Sequence, residues 1–272
     1  KLDQRLFSDI DLRYVRGFDM FLQKRSCCGN TRKFYFKALR AILNRANAEG
    51  VGSVATYPFG RGGFEVSKLE EATAKRYLPA AELSKLKSAT ANNPQCEYAR
   101  KLFLFSYYCY GISFIDMAML TAAHIKQMED GDYIVYKRQK IKRQKGVKPI
   151  SIKITPAIRQ LIESLQAASP TVDDFLLPVV TRSGYTGERL YMHIRTRYSK
   201  YQKYLRLLAE ELGIDFHLTS YVSRHTAAMT LQRNHIPREV ISQMLGHADL
   251  ETTNVYLDSF DNGVINEAAK VL

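Results

Sequence analysis

The chain has 272 residues, with 40 Lys and Arg against 27 Asp and Glu, a formal net charge of +13 and a pI near 9.5. That cationic excess suits a polyanionic partner such as DNA, and a 46% hydrophobic content over this length allows two domains with buried cores. No run of about 18 apolar residues is present, so no helical membrane span is expected.

Residues 9–24 and 30–48 carry two amphipathic helical patterns. Ile10, Tyr14, Phe18, Phe21 and Leu22 fall on one side of the first; Asn30-Thr31 reads as a capping signal for the second, with Phe34, Leu39, Ile42 and Leu43 inward. Arg32, Lys33, Lys37, Arg40 and Arg45 take the remaining faces. A charged face is usually just a solvated one, but this one is nearly all of one sign, which favours contact with phosphates. Tyr57-Pro-Phe-Gly-Arg-Gly-Gly-Phe64 breaks the pattern and opens a linker. Lys75-Arg76-Tyr77-Leu78-Pro79 then starts a second domain, with Pro79 suited to the first turn of a helix. The expected boundaries are 1–62 for a helical N-terminal domain, 63–78 for the linker and 79–272 for the second domain.

The second domain reads as helices at 80–91, 97–110 and 113–120, a hairpin at about 132–137 and 147–153, a helix from Pro156, and a long helix near 188–212. Further helices follow at 220–233, 238–245, 250–257 and 262–271. The fold class is therefore mainly α with a small β-hairpin or sheet. No internal repeat, glycine-rich phosphate loop or acidic metal cluster is evident, so the chemistry is expected to need no nucleotide, no metal and no other cofactor. Cys27, Cys28, Cys96 and Cys109 lack metal-ligand spacing and read as reduced. With no initiator Met and no signal-like segment, the chain is expected to be an internal fragment of a longer cytoplasmic protein.

Chemistry concentrates near the end of the chain. Leu218-Thr-Ser-Tyr-Val-Ser-Arg224-His225-Thr226 is followed by Leu245-Gly-His247 and by Thr252-Thr-Asn-Val-Tyr256. Tyrosine is a poor nucleophile at neutral pH, with an unperturbed pKa of about 10. A site that uses it to attack a phosphodiester must therefore gather cations around the phosphate. Alone, Tyr256 would read as a half-buried helix tyrosine and His247 as a turn histidine; the ordered set is what is specific.

This set resembles the tyrosine recombinase (phage integrase) family, whose signature is His-x-x-Arg, then Leu-Gly-His, then a nucleophilic tyrosine nine residues after that histidine. Arg224, His247 and Tyr256 match position by position. Asn30-Thr31 through Leu39-Arg40-Ala-Ile-Leu-Asn-Arg45-Ala46 also resembles the family's core-binding domain, a helical bundle that clamps DNA from the face opposite the catalytic domain. The resemblance thus implies an N-terminal core-binding domain and a C-terminal catalytic domain. The one-signed helix face gives Arg32, Lys33, Lys37 and Arg40 DNA-binding roles, and the acid-free basic hairpin adds Lys142 and Arg143. Arg40-Ala-Ile-Leu-Asn-Arg-Ala and the Tyr-Val-Ser-Arg-His-Thr box are similar to integrases and invertases of Bacteroides-type mobile elements.

Two positions depart from the family pattern. The first catalytic arginine falls in a Gly-x-Arg-x-x-Glu-Leu context, and here Gly111-Ile-Ser113-Phe-Ile-Asp116-Met117 puts Ser113 at the arginine and Asp116 at the supporting acid. The histidine of His-x-x-Arg is replaced by Tyr221, which can donate a hydrogen bond but cannot shuttle a proton near neutral pH. His225 points about 100° away from Arg224 on a helix and reads as a packing or capping residue. Losing one charged donor to a transition-state oxyanion costs a few kcal/mol, so a substitute is expected. Arg138-Gln-Lys140-Ile resembles the family's Arg-x-Lys-Thr segment, which gives Lys140 the role of general acid. Residues two apart on a strand face one side, so Arg138 would project with Lys140 and supply the missing guanidinium. The competing reading is a solvated basic turn that touches the DNA backbone.

The resemblance implies that Tyr256 forms a 3′-phosphotyrosyl bond on double-stranded DNA, in integration, excision or inversion. It also implies a tetrameric synapse, arranged through the C-terminal segment Asn262–Leu272 or with that segment packed on its own domain. A DNA-bending accessory protein and a nucleoid location fit the same picture. A DNA-binding relative that has lost cleavage, and an enzyme like the type IB topoisomerases, are the other two readings.

Overall fold

The computed structural model describes residues 6–71, 77–247 and 253. The chain divides into two compact units, Lys1–Ala74 and Lys75–Leu272.

In the first unit, α1 (Leu12–Lys24) begins where Asp11 accepts a hydrogen bond from the Tyr14 amide at 2.8 Å. Helix α2 (Gly29–Ala48) follows after a short turn. Val15, Leu22, Phe36 and Val66 form the buried centre, with Phe18, Leu39, Phe59, Phe64 and Leu69 packed against it. The segment read as the opening of the linker thus contributes Phe59 and Phe64 to this core, and the Phe64 ring lies 4.5 Å from that of Phe36.

The inward face of α2 differs from the expected one. Phe36, Leu43 and Ala46 are buried, whereas Phe34 and Ile42 are exposed at 68% and 55%. At about 100° per residue, Phe34 stands roughly 200° from Phe36, and Ile42 roughly 100° from Leu43. The cap differs as well. Cys28 takes the N-cap position, and Asn30 instead ties the helix to Glu71, donating to its carbonyl at 2.6 Å and accepting from its amide.

The second unit is built around α4 (Pro94–Tyr108), which Asn93 caps and Pro94 opens. Its buried residues lie all round the helix, as expected of one enclosed by neighbours; α6 (Pro156–Ala168), α7 (Gly187–Glu211) and α8 (Ser220–Arg233) pack on it. Ahead of it stands α3 (Ala80–Ser88), with Pro79 as the flanking cap residue rather than a first-turn residue. The short helix α5 (Phe114–Ala118) comes after it, and α9 (Arg238–Leu245) closes the described run of helices.

The sheet has three antiparallel strands rather than two: β1 (Ile125–Met128), β2 (Gly131–Tyr136) and β3 (Ile150–Lys153), in that order. Ile134 pairs with Ile125 on one side and Ile152 on the other, and Tyr136 pairs with Ile150. β1 escapes the sequence because only its first residue is more than superficially covered, so it shows little alternation. The long connection 137–149 is turn structure, not strand. The every-second-residue argument for Arg138 and Lys140 therefore does not apply. The expected helices at 250–257 and 262–271 fall outside the described residues, apart from Thr253.

Candidate active site

Arg224 is the centre of the site. It sits on α8 with 3% exposure, and hydrogen bonds from α8 to α4 fix its backbone, among them Ser223 Oγ to Ser106 Oγ at 2.7 Å. Its guanidinium donates to the Gly111 carbonyl at 3.0 Å and to the Leu245 carbonyl at 2.5 Å. Gly111 must be glycine for two reasons: its φ is +71°, and a Cβ there would lie 2.4 Å from the Arg224 Cα.

His247 follows directly on the end of α9, where Gly246 adopts the left-handed conformation with φ 63°. Its Nε2 lies 3.0 Å from Arg224 Nη2 and its Nδ1 lies 2.7 Å from Thr253 Oγ1. Arginine only donates. Nε2 therefore accepts, and the ring proton sits on Nδ1, where it donates to Thr253.

Arg138 reaches the same place from the turn after β2. Its Nη1 donates to the Gly246 carbonyl at 3.3 Å, one residue along from the carbonyl that Arg224 holds. Burial first, and then the neighbouring Arg138 charge, pull the Arg224 pKa down to about 10. Tyr136 also lies among these charges, but burial, followed by the Asp116 carboxylate, pushes its phenol well up, so it stays protonated. Tyr136 and the carbonyls of Gly111 and Leu245 were not legible as site components, because each acts through position rather than through a motif.

Ser113 caps α5, and its hydroxyl donates to Asp116 Oδ2 at 2.6 Å. The other oxygen of the buried Asp116 accepts the Gln139 amide at 2.7 Å. Lys140 is the next residue and is exposed on the turn. Tyr221 is half-exposed on α8, its ring set edge-on to that of His225 at 5.1 Å, so His225 packs as expected. A cavity of about 370 Å³ brings together Ser113, Tyr198, Tyr221, Arg224 and also Arg195 of α7, a cation that the motif reading passed over. A larger one of about 780 Å³ runs between the basic turn and α9, with Ile141, Lys145, Lys148 and His247 in its lining.

Among the other basic residues singled out, Lys37, Arg40, Lys142 and Arg143 are exposed. Arg32 instead holds both oxygens of Asp19 at 2.9 and 3.0 Å, and Lys33 pairs with Glu70 at 2.7 Å. Tyr256 lies outside the described residues.

The family profile described as "Phage integrase family" matches residues 76–262, more than half of the chain, and that described as "Phage integrase SAM-like domain" matches residues 1–65. The chain belongs to the phage integrase family. One curated relative, the tyrosine recombinase XerD of Halalkalibacterium halodurans, is 41% identical over 54 residues, which span 20% of this chain and 18% of that protein. Among solved structures, XerH recombinase bound to a palindromic difH substrate superposes with a TM-score of 0.68 at 18% identity, over 97% of this chain and 73% of that one. A lambda integrase dimer bound to a COC′ core site gives 0.64 at 14% identity, over 96% and 84%. A Tn1549 transposon integrase in complex with a circular intermediate DNA gives 0.65 at 13%, over 97% and 86%. These structural likenesses establish for this integrase-family chain the recombinase fold, a helical protein with a small sheet.

Proposed function

We propose that this chain is a site-specific DNA recombinase that cleaves and rejoins double-stranded DNA through a 3′-phosphotyrosyl intermediate. The observation that carries the reading is the Arg224–His247 contact at 3.0 Å, flanked by Arg138. This arrangement gathers the cation and imidazole that an attacked phosphodiester needs, on positions that match the family motif.

In this mechanism the Tyr256 oxygen gives its proton to His247 Nε2 and bonds to phosphorus as the bond to the 5′ oxygen breaks. Lys140 gives its proton to that departing oxygen. Arg224, and His247 once protonated, stabilise the charge on the phosphoryl oxygens, and Arg138 takes the part of the guanidinium absent at Ser113. Tyr221 serves as an auxiliary hydrogen-bond donor. A 5′ hydroxyl of the second strand then gives its proton back to Lys140 and attacks the phosphotyrosine, and His247 returns the proton to the released phenol. The covalent bond conserves the phosphodiester's energy, so ATP is not consumed.

Lys37, Arg40, Lys142 and Arg143 are proposed as phosphate contacts. Arg32 and Lys33 are weaker candidates because their ammonium and guanidinium groups already hold carboxylates. A DNA-clamping role for the first unit and a catalytic role for the second, assembly as a tetramer through the C-terminal segment, an accessory bending protein and a location at the nucleoid belong to the same proposal. Incubation with a nicked duplex that traps the covalent intermediate tests it. A protein–DNA adduct is expected, whereas DNA binding without an adduct would leave only a non-cleaving relative.

A further inference from the structure

The turn 137–149 lies outside the sheet ladder, yet the proposed mechanism needs the two cations at its start held accurately. Its main chain is tied down by Asp116. That carboxylate is 3% exposed, takes the Ser113 hydroxyl on one oxygen at 2.6 Å, and takes the Gln139 amide on the other at 2.7 Å. Gln139 stands between Arg138 and Lys140, so fixing its amide fixes the Arg138–Gln139 peptide, which carries Arg138 and leads one residue on to Lys140. Lys142 Nζ donates to the Gln139 side chain at 2.6 Å and braces the same turn from the other side. Hydrogen bonds to an ionised acceptor are about twice as strong as neutral ones, and a buried carboxylate needs such donors to remain charged.

We infer that Asp116 is a positioning residue for the general acid, and that Ser113 acts as its orienting donor. The inference rests on the assignment of Lys140 as that acid. It gives the serine a definite role. A side chain of its length reaches the carboxylate three residues on, and its hydroxyl leaves the second carboxylate oxygen aimed at the turn. The aligned position in the family faces the phosphate; here it serves the residue that holds the turn.

The test measures single-turnover adduct formation on two substrates, an ordinary nicked duplex and the same duplex with sulfur in place of the bridging 5′ oxygen at the scissile phosphate. When the P–S bond breaks, the thiolate leaves without needing a proton, because thiols titrate near 8.5 whereas water and hydroxyls titrate at about 15.7. Lys140→Ala should be slow on the oxygen substrate by roughly 10²–10⁴ and near parental on the sulfur substrate. Asp116→Ala should show the same pattern, with a loss of about 10²-fold on oxygen and recovery on sulfur. Ser113→Ala should show a smaller loss with the same recovery, and it decides the matter alone should Asp116→Ala fail to fold. If Lys140→Ala recovers on sulfur while Asp116→Ala and Ser113→Ala are equally slow on both substrates, or are parental on oxygen, the positioning role is overturned and the Lys140 assignment stands. If Lys140→Ala does not recover on sulfur, the acid is another group and the inference falls with that assignment.

Discussion

Arg138 and Arg224 hold consecutive carbonyls at the end of one helix: Arg224 donates to Leu245 at 2.5 Å and Arg138 to Gly246 at 3.3 Å. The last carbonyls of a helix carry partial negative charge, which helps two guanidiniums stand close together. A phosphodiester bound beside the pair would add an anion of full charge next to both.

A first prediction follows from that repulsion. The depressed Arg224 pKa weakens the fold at every pH below about 10, and an anion beside the two cations relieves the cost. Inorganic phosphate should therefore raise the melting temperature at neutral pH, in proportion to RT ln(1 + [L]/Kd). The increment should shrink in Arg138→Ala. An equal increment in both proteins would place the bound anion elsewhere.

Arg138→Ala should also slow cleavage by roughly 10²–10³, the range for one transition-state donor, while costing about one phosphate contact in binding. Ser113→Arg should not restore the rate, because it removes the hydroxyl that orients Asp116. Parental cleavage by Arg138→Ala would take the guanidinium role from that residue and direct attention to Arg195, across the neighbouring cavity.

The exposed and the committed cations should separate in a salt titration. Lys37→Ala and Arg40→Ala should each lower the slope of log affinity against log salt by about 0.9. Arg32→Ala should leave the slope nearly unchanged and cost roughly 1–3 kcal/mol of stability by leaving the buried Asp19 with the Gln23 amide but no cation. A slope change for Arg32→Ala with no loss of stability would show that the Asp19 pair opens onto DNA.

The sequence was most legible where chemistry and spacing coincide. The long α7 and the helix carrying Arg224 stand at their expected places, and the Arg224–His247 pair is brought together as the motif requires. It was least legible where tertiary packing selects among similar residues. Phe34, Phe36, Leu39, Ile42 and Leu43 are all apolar, and periodicity alone did not show which of them face Val15 and Phe64. Unfolding measurements can check the observed face: Phe36→Ala should cost about 3–5 kcal/mol and Phe34→Ser less than about 0.5. The Asp116–Gln139 bond could not be read at all, because one partner is a main-chain amide 23 residues away.

Gly111 offers a sharp check on how the Arg224 site is built. Gly111→Ala combines an unfavourable φ, worth roughly 1–3 kcal/mol, with a Cβ 2.4 Å from the Arg224 Cα. Lower stability and slowed adduct formation should appear together. A variant of normal stability and rate would mean that α8 can move away from this carbonyl without consequence.

The most direct measurement is to identify the residue that carries DNA in the trapped complex, by peptide mapping after nuclease digestion, alongside the Tyr256→Phe variant. The account predicts a 3′-linked nucleotide on Tyr256, and in Tyr256→Phe unchanged DNA binding with no adduct. A nucleotide on Tyr191 or Tyr221, or an adduct of normal yield from Tyr256→Phe, would contradict it.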